Sequence, residues 1–288
     1  MVSQREEEIL RNARSLREKE HRLRPSLRLK TLSEAQAFTQ TRGIVSVFGG
    51  NELPSIVSAF LGREWKPSGK GFTSWLEWWS IKIQGKSLGR TIPQLEQAGD
   101  IVSTRIFRKS KTLVSRPLWS ILDPIVKHYR DQASERETFS KTDWNILEFI
   151  GEHGPIRTDR LRTELNLEDK SKTASFHSSL SKLESFALIV GSEDPKPERH
   201  LHANIWSSWK TRTRQGAGAG RLSYRDATEQ LLMKTIDSAI IAPEKDVGKW
   251  FQWKQSCLEA KTRLLDSGRI LQADNLLVTA RANRTLAH

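Results

Sequence analysis

Five basic residues, Arg105, Arg108, Lys109, Lys111 and Arg116, fall in one stretch of the chain that contains no acid. Cations gathered in this way suit phosphate: they neutralise its charge, and a guanidinium donates two parallel hydrogen bonds to it. If Arg105 to Ser115 is one strand, then Arg105, Lys109 and Lys111 share a face, because side chains alternate. Such a row matches contacts along a nucleic-acid backbone. It would serve equally as a solvated edge strand, where lysines block unwanted pairing. A second basic group, Lys210, Arg212, Arg214, Arg221 and Arg225, surrounds the run Gly216-Ala217-Gly218-Ala219-Gly220. That run lacks the Lys-Ser/Thr ending of a phosphate loop. It reads as a flexible basic tether that closes on a polyanion, or as a plain linker.

A third candidate is helical. A helix starting at Ser171 places Phe176, Leu180 and Leu183 inward at i, i+4 and i+7. Its other side then carries Ser171, Ala174, Ser178, Ser181 and Ser185, flanked by Lys172, His177 and Lys182. Small hydroxyl residues let a helix approach phosphates closely but discriminate bases poorly. Backbone or shape recognition fits this face better than sequence reading, and a merely solvated serine-rich face fits as well.

Little else in the chain suggests chemistry. Cys257 is the single cysteine, so no internal disulfide and no zinc site built on several thiolates is possible. No activating base stands near it in sequence. His200 and His202 point to one side of a strand but lack a third ligand, and no metal site is expected. Trp75, Trp78 and Trp79 recur at helical spacing, which favours core packing, although one could stack on a flipped base.

The elements that must position these groups follow from periodicity and punctuation. Residues 1–24 read as one exposed helix with a narrow stripe of Ile9, Leu10, Ala13 and Leu16, supported by the pairs Glu18 with Arg22 and Glu20 with Arg24, and stopped by Pro25. Ser33 is placed to cap a helix to about Arg42. Leu53 to Leu61 is a short apolar helix, and Leu118 to about Tyr129 another. In residues 140–209, Ser140 caps a helix carrying Trp144, Leu147 and Ile150. Thr158 caps a second, Ser171 starts the third, and Phe186–Val190 and His200–Ile205 form a hairpin. Three helices and a hairpin are the winged-helix order. The order recurs more weakly after residue 223, where Asp274-Asn275 marks a tight turn.

The expected fold class is therefore mainly α with small β-hairpins, arranged as three tandem winged-helix units. The expected division is an N-terminal helical extension over 1–28, units over 29–139, 140–209 and 223–288, and a basic linker over 210–222. Lys and Arg total 47 against 34 Asp and Glu, a net charge of +13. An excess this large favours a polyanionic partner. The charged N-terminus is no signal peptide, and no apolar run approaches the ~20 residues of a membrane span. The expectation is a cytoplasmic monomer with no membrane partner.

With those elements placed, the chain resembles the AlkZ/YcaQ-like DNA glycosylase family, and most closely its divergent AlkZ-related branch of winged-helix DNA-binding proteins. The residues that carry the resemblance are Asn51-Glu52-Leu53-Pro54-Ser55-Ile56 with Ala59-Phe60-Leu61-Gly62; Trp75 and Trp78; and Lys111-Thr112-Leu113-Val114-Ser115. Further on they are Glu152-His153-Gly154-Pro155-Ile156 with Arg157-Thr158 and Leu161-Arg162, then Asp246-Val247 with Trp250-Phe251-Gln252-Trp253. The resemblance implies winged helices around a basic concave face, double-stranded DNA as partner, a role in DNA repair, and no cofactor. An enzyme of this family would be a metal-independent DNA N-glycosylase.

Family glycosylases hold the attacking water with a Gln-x-Gln or Gln-x-Asp motif, expected here near Gly43. This chain has Ile44-Val45-Ser46-Val47-Phe48 at that place. Apolar side chains neither orient water nor stabilise an oxocarbenium-like cation. The resemblance therefore implies DNA binding without naming a catalytic residue; Glu52, Glu77 and Asp100 are the acids that could substitute. Two other readings fit the residues: a non-catalytic winged-helix regulator of transcription, and a structural binder of nucleic acid such as RNA.

Overall fold

A computed structural model describes residues 3–66, 80–83, 85–131, 138–194, 204–213 and 222–284. The chain opens with helix α1 (Gln4–Glu20), whose first turn is closed by a capping box between Ser3 and Glu6. Two orphan donors are thereby satisfied reciprocally. The helix stops at Glu20, earlier than Pro25, which instead begins the 3₁₀ turn Pro25–Leu27, where its fixed φ suits the first position. Beyond Glu20 the helical spacing no longer holds. Glu18 pairs with Arg24 rather than Arg22, and Glu20 reaches across to Arg42 and Arg281. Nor is the apolar stripe exposed: Ile9, Leu10 and Ala13 are buried with Ile240, Ala273, Val278 and Ala282 from the far end of the chain.

Helix α2 (Leu32–Arg42) is capped by Thr31, not Ser33. Thr31 has the extended backbone that a cap needs and accepts from the Glu34 amide at 3.1 Å, whereas Ser33 already lies inside the first turn. After Gly43 come strand β1 (Ile44–Ser46) and helix α3 (Ile56–Leu61), which Ser55 caps. The short strands β2 (Lys82–Ile83) and β3 (Lys86–Ser87) lead into α4 (Leu88–Gln97). The acid-free basic stretch is not one strand. It contains the end of β4 (Ile101–Phe107), a turn, and β5 (Ser110–Ser115). Arg108 and Lys109 both take positive φ, 50° and 54°, as a tight hairpin turn of the primed type requires. Glycine or asparagine normally advertises that turn, and neither is present. Strands order as β1-β5-β4, all antiparallel, and α5 (Trp119–Asp131) follows.

Next come α6 (Lys141–His153), β6 (Ile156–Arg157), α7 (Thr158–Glu164), α8 (Lys170–Ser185), β7 (Ile189–Glu193) and β8 (Asn204–Ser208), with sheet order β6-β8-β7. Ser140 caps α6. Thr158 does not cap α7; its hydroxyl donates to the Asn204 carbonyl and accepts from the Trp206 indole. Asp169 caps α8 and accepts from the Ser171 amide. Strand β7 begins at Ile189, later than Phe186, because Phe186 still closes α8 and Ala187 takes a positive φ of 55°; the expected start of the second strand, His200, lies outside the described residues. On β7, Gly191 lies under the Trp206 ring, so close that a Cβ there would sit 2.7 Å from it.

The start of the expected linker is helical: α9 spans Trp209–Thr213. Helix α10 (Tyr224–Ala239) then leads to β9 (Ile241–Pro243), the 3₁₀ segment Glu244–Lys249, α11 (Lys254–Asp266), the hairpin β10 (Ile270–Ala273) and β11 (Leu276–Thr279) around Asp274-Asn275, and the short α12 (Arg281–Arg284). The sheet order is β10-β11-β9. The chain is thus mainly helical with small antiparallel sheets. One buried cluster runs from Ile44 through Phe107, Leu183 and Trp250 to Leu277. Among the described residues no helix is long and apolar enough to cross a membrane.

Docking of α1 yields a stability prediction. Leu10→Ala removes a side chain that is 7% exposed and should cost about 2–4 kcal/mol. Urea denaturation measures it, and an unchanged midpoint would mean that α1 is not held as described.

Candidate functional site

The site builds up from β1. Ile44, Val45 and Val47 are wholly buried, and so is Ser46. The Ser46 hydroxyl donates to the Phe48 carbonyl at 2.5 Å and accepts from the Asn51 amide at 3.0 Å. Asn51 in turn accepts from the Leu53 amide at 3.0 Å, the local bond that makes an Asx turn. This closed loop fixes Glu52 toward Arg108. The Arg108 Nε donates to Glu52 Oε2 at 2.9 Å, Nη2 donates to Oε1, and Asp246 Oδ2 lies 3.3 Å from the same Nη2. Burial alone would lower Arg108, but Glu52 and Asp246 hold it above its ordinary range.

A cleft of about 840 Å³ lies beside this cluster. Arg14, Arg17 and Arg24 line one side, Asn51, Glu52, Arg63 and Glu64 another, and β9 with Leu276 forms an apolar floor. Its acids are occupied: Glu64 pairs with Arg17 at 2.7 Å and Glu18 with Arg24 at 2.6 Å. Arg14 and Arg63 are exposed and have no ion pair among the described residues. Such a cleft offers cations at the mouth and apolar surface below. The sequence did not mark these arginines, because acids are interleaved with them and the fold gathers them from separate segments. Just after α1, His21 is buried, its Nε2 2.9 Å from the Ser238 carbonyl. Burial first and Arg17 second push it down to about 3, so the ring is neutral.

The residues singled out by sequence fall into three groups. The first group is already paired. Arg105 lies 3.0 Å from Glu184, Lys111 3.9 Å from Glu96, and Lys182 3.0 Å from Asp143 with its ammonium over the Phe139 ring. Because the hairpin turns at 108–109, Arg105, Lys109 and Lys111 do not share the face of one strand. The second group is exposed: Lys109 at the hairpin tip, Lys172, His177 and Ser178 on α8, and Lys210 on α9. Ser185, expected on the same open face of α8, is buried instead and donates to the Lys182 carbonyl. Arg212 is half-buried and donates to the Glu96 carbonyl at 3.0 Å. The third group, Arg214, Arg221, Trp75, Trp78, Trp79, Glu77, His200 and His202, lies outside the described residues. Of the two remaining acids that could have substituted in catalysis, Glu52 is held by Arg108 and Asp100 by Arg116. Among the described residues no group of three or more His, Cys, Asp or Glu could hold a metal ion.

Fold and site together define a basic, mainly helical protein with small antiparallel sheets and an arginine-lined cleft over an apolar strand. The chain belongs to the AlkZ-related family, whose family model matches residues 29–252. Among solved structures it is similar to the Streptomyces sahachiroi DNA glycosylase AlkZ, with a TM-score of 0.56 at 13% identity, covering 100% of this chain and 72% of that one. No curated protein matches.

A pH dependence follows from the pairing of Arg105. Burial pushes the Glu184 carboxyl up to about 7 against the pull of Arg105 and Lys111, and Glu96 nearby adds to the rise. A carboxyl raised in the folded state supports the fold fully below its ordinary 4.5 and loses that support as pH rises toward 7. The stability of Glu184→Gln relative to the wild type should therefore grow by about 2–3 kcal/mol between pH 5 and 8. Thermal melts across that range measure it; parallel curves would show that Glu184 is ionised throughout.

Proposed function

We propose that this chain is a winged-helix protein that binds double-stranded DNA as a monomer and acts in DNA repair on damaged or distorted duplex, with base excision weak or absent. The observation that carries the reading is the family match over residues 29–252. The fold shared with a protein whose name is DNA glycosylase supports it, as does a net charge of +13. Three helical segments followed by a hairpin occur both in 140–209 and in 223–280, which supports winged-helix units there. The division into an extension over 1–28, a first unit over 29–139 and a linker over 210–222 belongs to the same proposal. Backbone contacts are assigned to the exposed cations Lys109, Lys172 and Lys210, with His177 and Ser178 on the open face of α8.

Weak chemistry follows from β1 and its surroundings. Val45 and Val47 are buried hydrocarbon and hold no water. Glu52 accepts from two guanidinium nitrogens, which turns both of its oxygens toward Arg108 and away from a water it would have to activate. Loss of general-base help alone costs about 10²–10⁴ in rate.

Two measurements test this reading. Duplex affinity should fall by orders of magnitude between low and moderate salt, because each phosphate contact releases counterions; a flat titration, or no retention on DNA at low salt, rules it out. Incubation with duplex carrying alkylated purines should release no free base and leave no abasic sites above background. Robust turnover would overturn the negative expectation for catalysis, and its loss in Glu52→Gln would assign the missing base.

A further inference from the structure

A second cleft, of about 600 Å³, opens between the end of α1, residues 22–30, the outer face of α2 and Arg281. Lys19, Arg22, Arg28, Lys30, Arg42 and Arg281 line it against only two carboxylates, Glu20 and Glu34. The chain as a whole has 47 basic to 34 acidic residues, so this is a marked local concentration. No run of basic residues announces it, because its cations come from α1, the following loop, α2 and α12.

The inner wall of the cleft is built rather than incidental. The Arg42 side chain is only 8% exposed. Its Nη1 donates to Glu20, and its Nη2 lies 3.4 Å from the Asp237 carbonyl. Its Nε is buried and has no hydrogen-bond partner among the described residues. A buried guanidinium donor left unmade is costly. Arg281 stands beside it, donating to Glu20 at 3.1 Å and to the Asp237 carbonyl at 2.6 Å. Burial and this like-charged neighbour push Arg42 down to about 10. Two carboxylates face the two guanidiniums, Glu20 and Asp237, whose Oδ1 lies 3.8 Å from Arg281 Nε, so the surplus positive charge of the cleft sits on its exposed rim. The other acid, Glu34, accepts from the Lys30 amide at the rim. Lys19, Arg22, Arg28 and Lys30 are exposed along the mouth. Leu29 in the same loop is buried, and its amide donates to the Ala59 carbonyl at 2.9 Å, which anchors the loop to α3.

We propose that this cleft is a phosphate-binding site that takes the phosphodiester backbone of DNA, with Arg42 and Arg281 at its base and Lys19, Arg28 and Lys30 along its rim. Guanidiniums donate to several phosphate oxygens at once, and several exposed cations along one cleft suit a chain of phosphates better than one isolated anion. The inference rests on the DNA-binding reading above and adds a site that the hairpin, α8 and α9 do not provide.

The test uses the full chain. Arg28→Glu/Lys30→Glu reverses two exposed charges without touching Arg42 or Arg281. It should weaken duplex binding at low salt by at least about tenfold and reduce the salt slope by about two. The control Lys141→Glu/Lys234→Glu, with both changes outside the cleft, should shift far less. Equal effects in the two variants would overturn the assignment. Pyrophosphate titration of the wild-type protein, followed calorimetrically, separates the two readings. If duplex binding is absent but pyrophosphate binds and Arg42→Lys weakens it, the DNA reading fails while phosphate binding at the cleft stands. If pyrophosphate binds but duplex affinity ignores Arg28→Glu/Lys30→Glu, the source is a free phosphate and the backbone assignment is overturned. Binding of neither overturns the site.

Discussion

Arg108 joins three parts of the chain that are remote in sequence. Its side chain engages Glu52 in the loop after β1 and Asp246 in the 3₁₀ segment after β9, and its amide donates to the Trp250 carbonyl at 2.7 Å. The guanidinium is half-buried, so either acid alone would leave charge poorly compensated in a medium of low polarity. The turn that presents it requires two residues with positive φ, neither of them glycine. That local strain persists because the tertiary partners over-determine it. Around this joint the aromatic core closes, with Phe107 against Trp250 and Phe251 at ring distances of 5.4 and 6.0 Å.

The same joint explains how the positive charge is spent. Arg105, Arg108 and Lys111 look like surplus cations when the neighbouring sequence is read, yet each meets a carboxylate from another element. Glu184 and Glu96 are buried, which raises both carboxyls, and those cations offset part of the cost of their ionised forms. These residues tie the hairpin β4–β5 to α8 and α4, and they act within the structure. The cations that stay exposed lie elsewhere: on the hairpin tip, on the open side of α8, and at the two clefts beside α1.

Helix α1 has a larger role than an appended segment. It lies outside the family match over residues 29–252, yet its apolar stripe completes the core of the last sheet. Its polar side supplies Arg14 and Arg17 to one cleft and Lys19 and Glu20 to the other. His21 at its end is kept neutral by burial and ties α1 to α10 through Ser238, whose hydroxyl donates to the Ile44 carbonyl at 2.7 Å. A chain of hydrogen bonds thus connects α1 to β1.

Local patterns were legible in the sequence wherever a single segment determined its own conformation. The apolar spacing of Phe176, Leu180 and Leu183 gave α8, the Ser140 cap gave the start of α6, and Asp274-Asn275 gave the last hairpin turn, because propensity, capping and periodicity act within a few residues. The apolar character of residues 44–48 was also written there. Other features depended on partners far away in the chain. The turn at Arg108-Lys109 carries no glycine signal and is enforced by Glu52, Asp246 and Trp250. Thr158 left its capping role because Trp206 and Asn204 approach it across the sheet. Whether a cation is free or neutralised was decided only by folding, since charges interact through space at a few ångströms and a one-dimensional run of residues does not record which carboxylate arrives beside them.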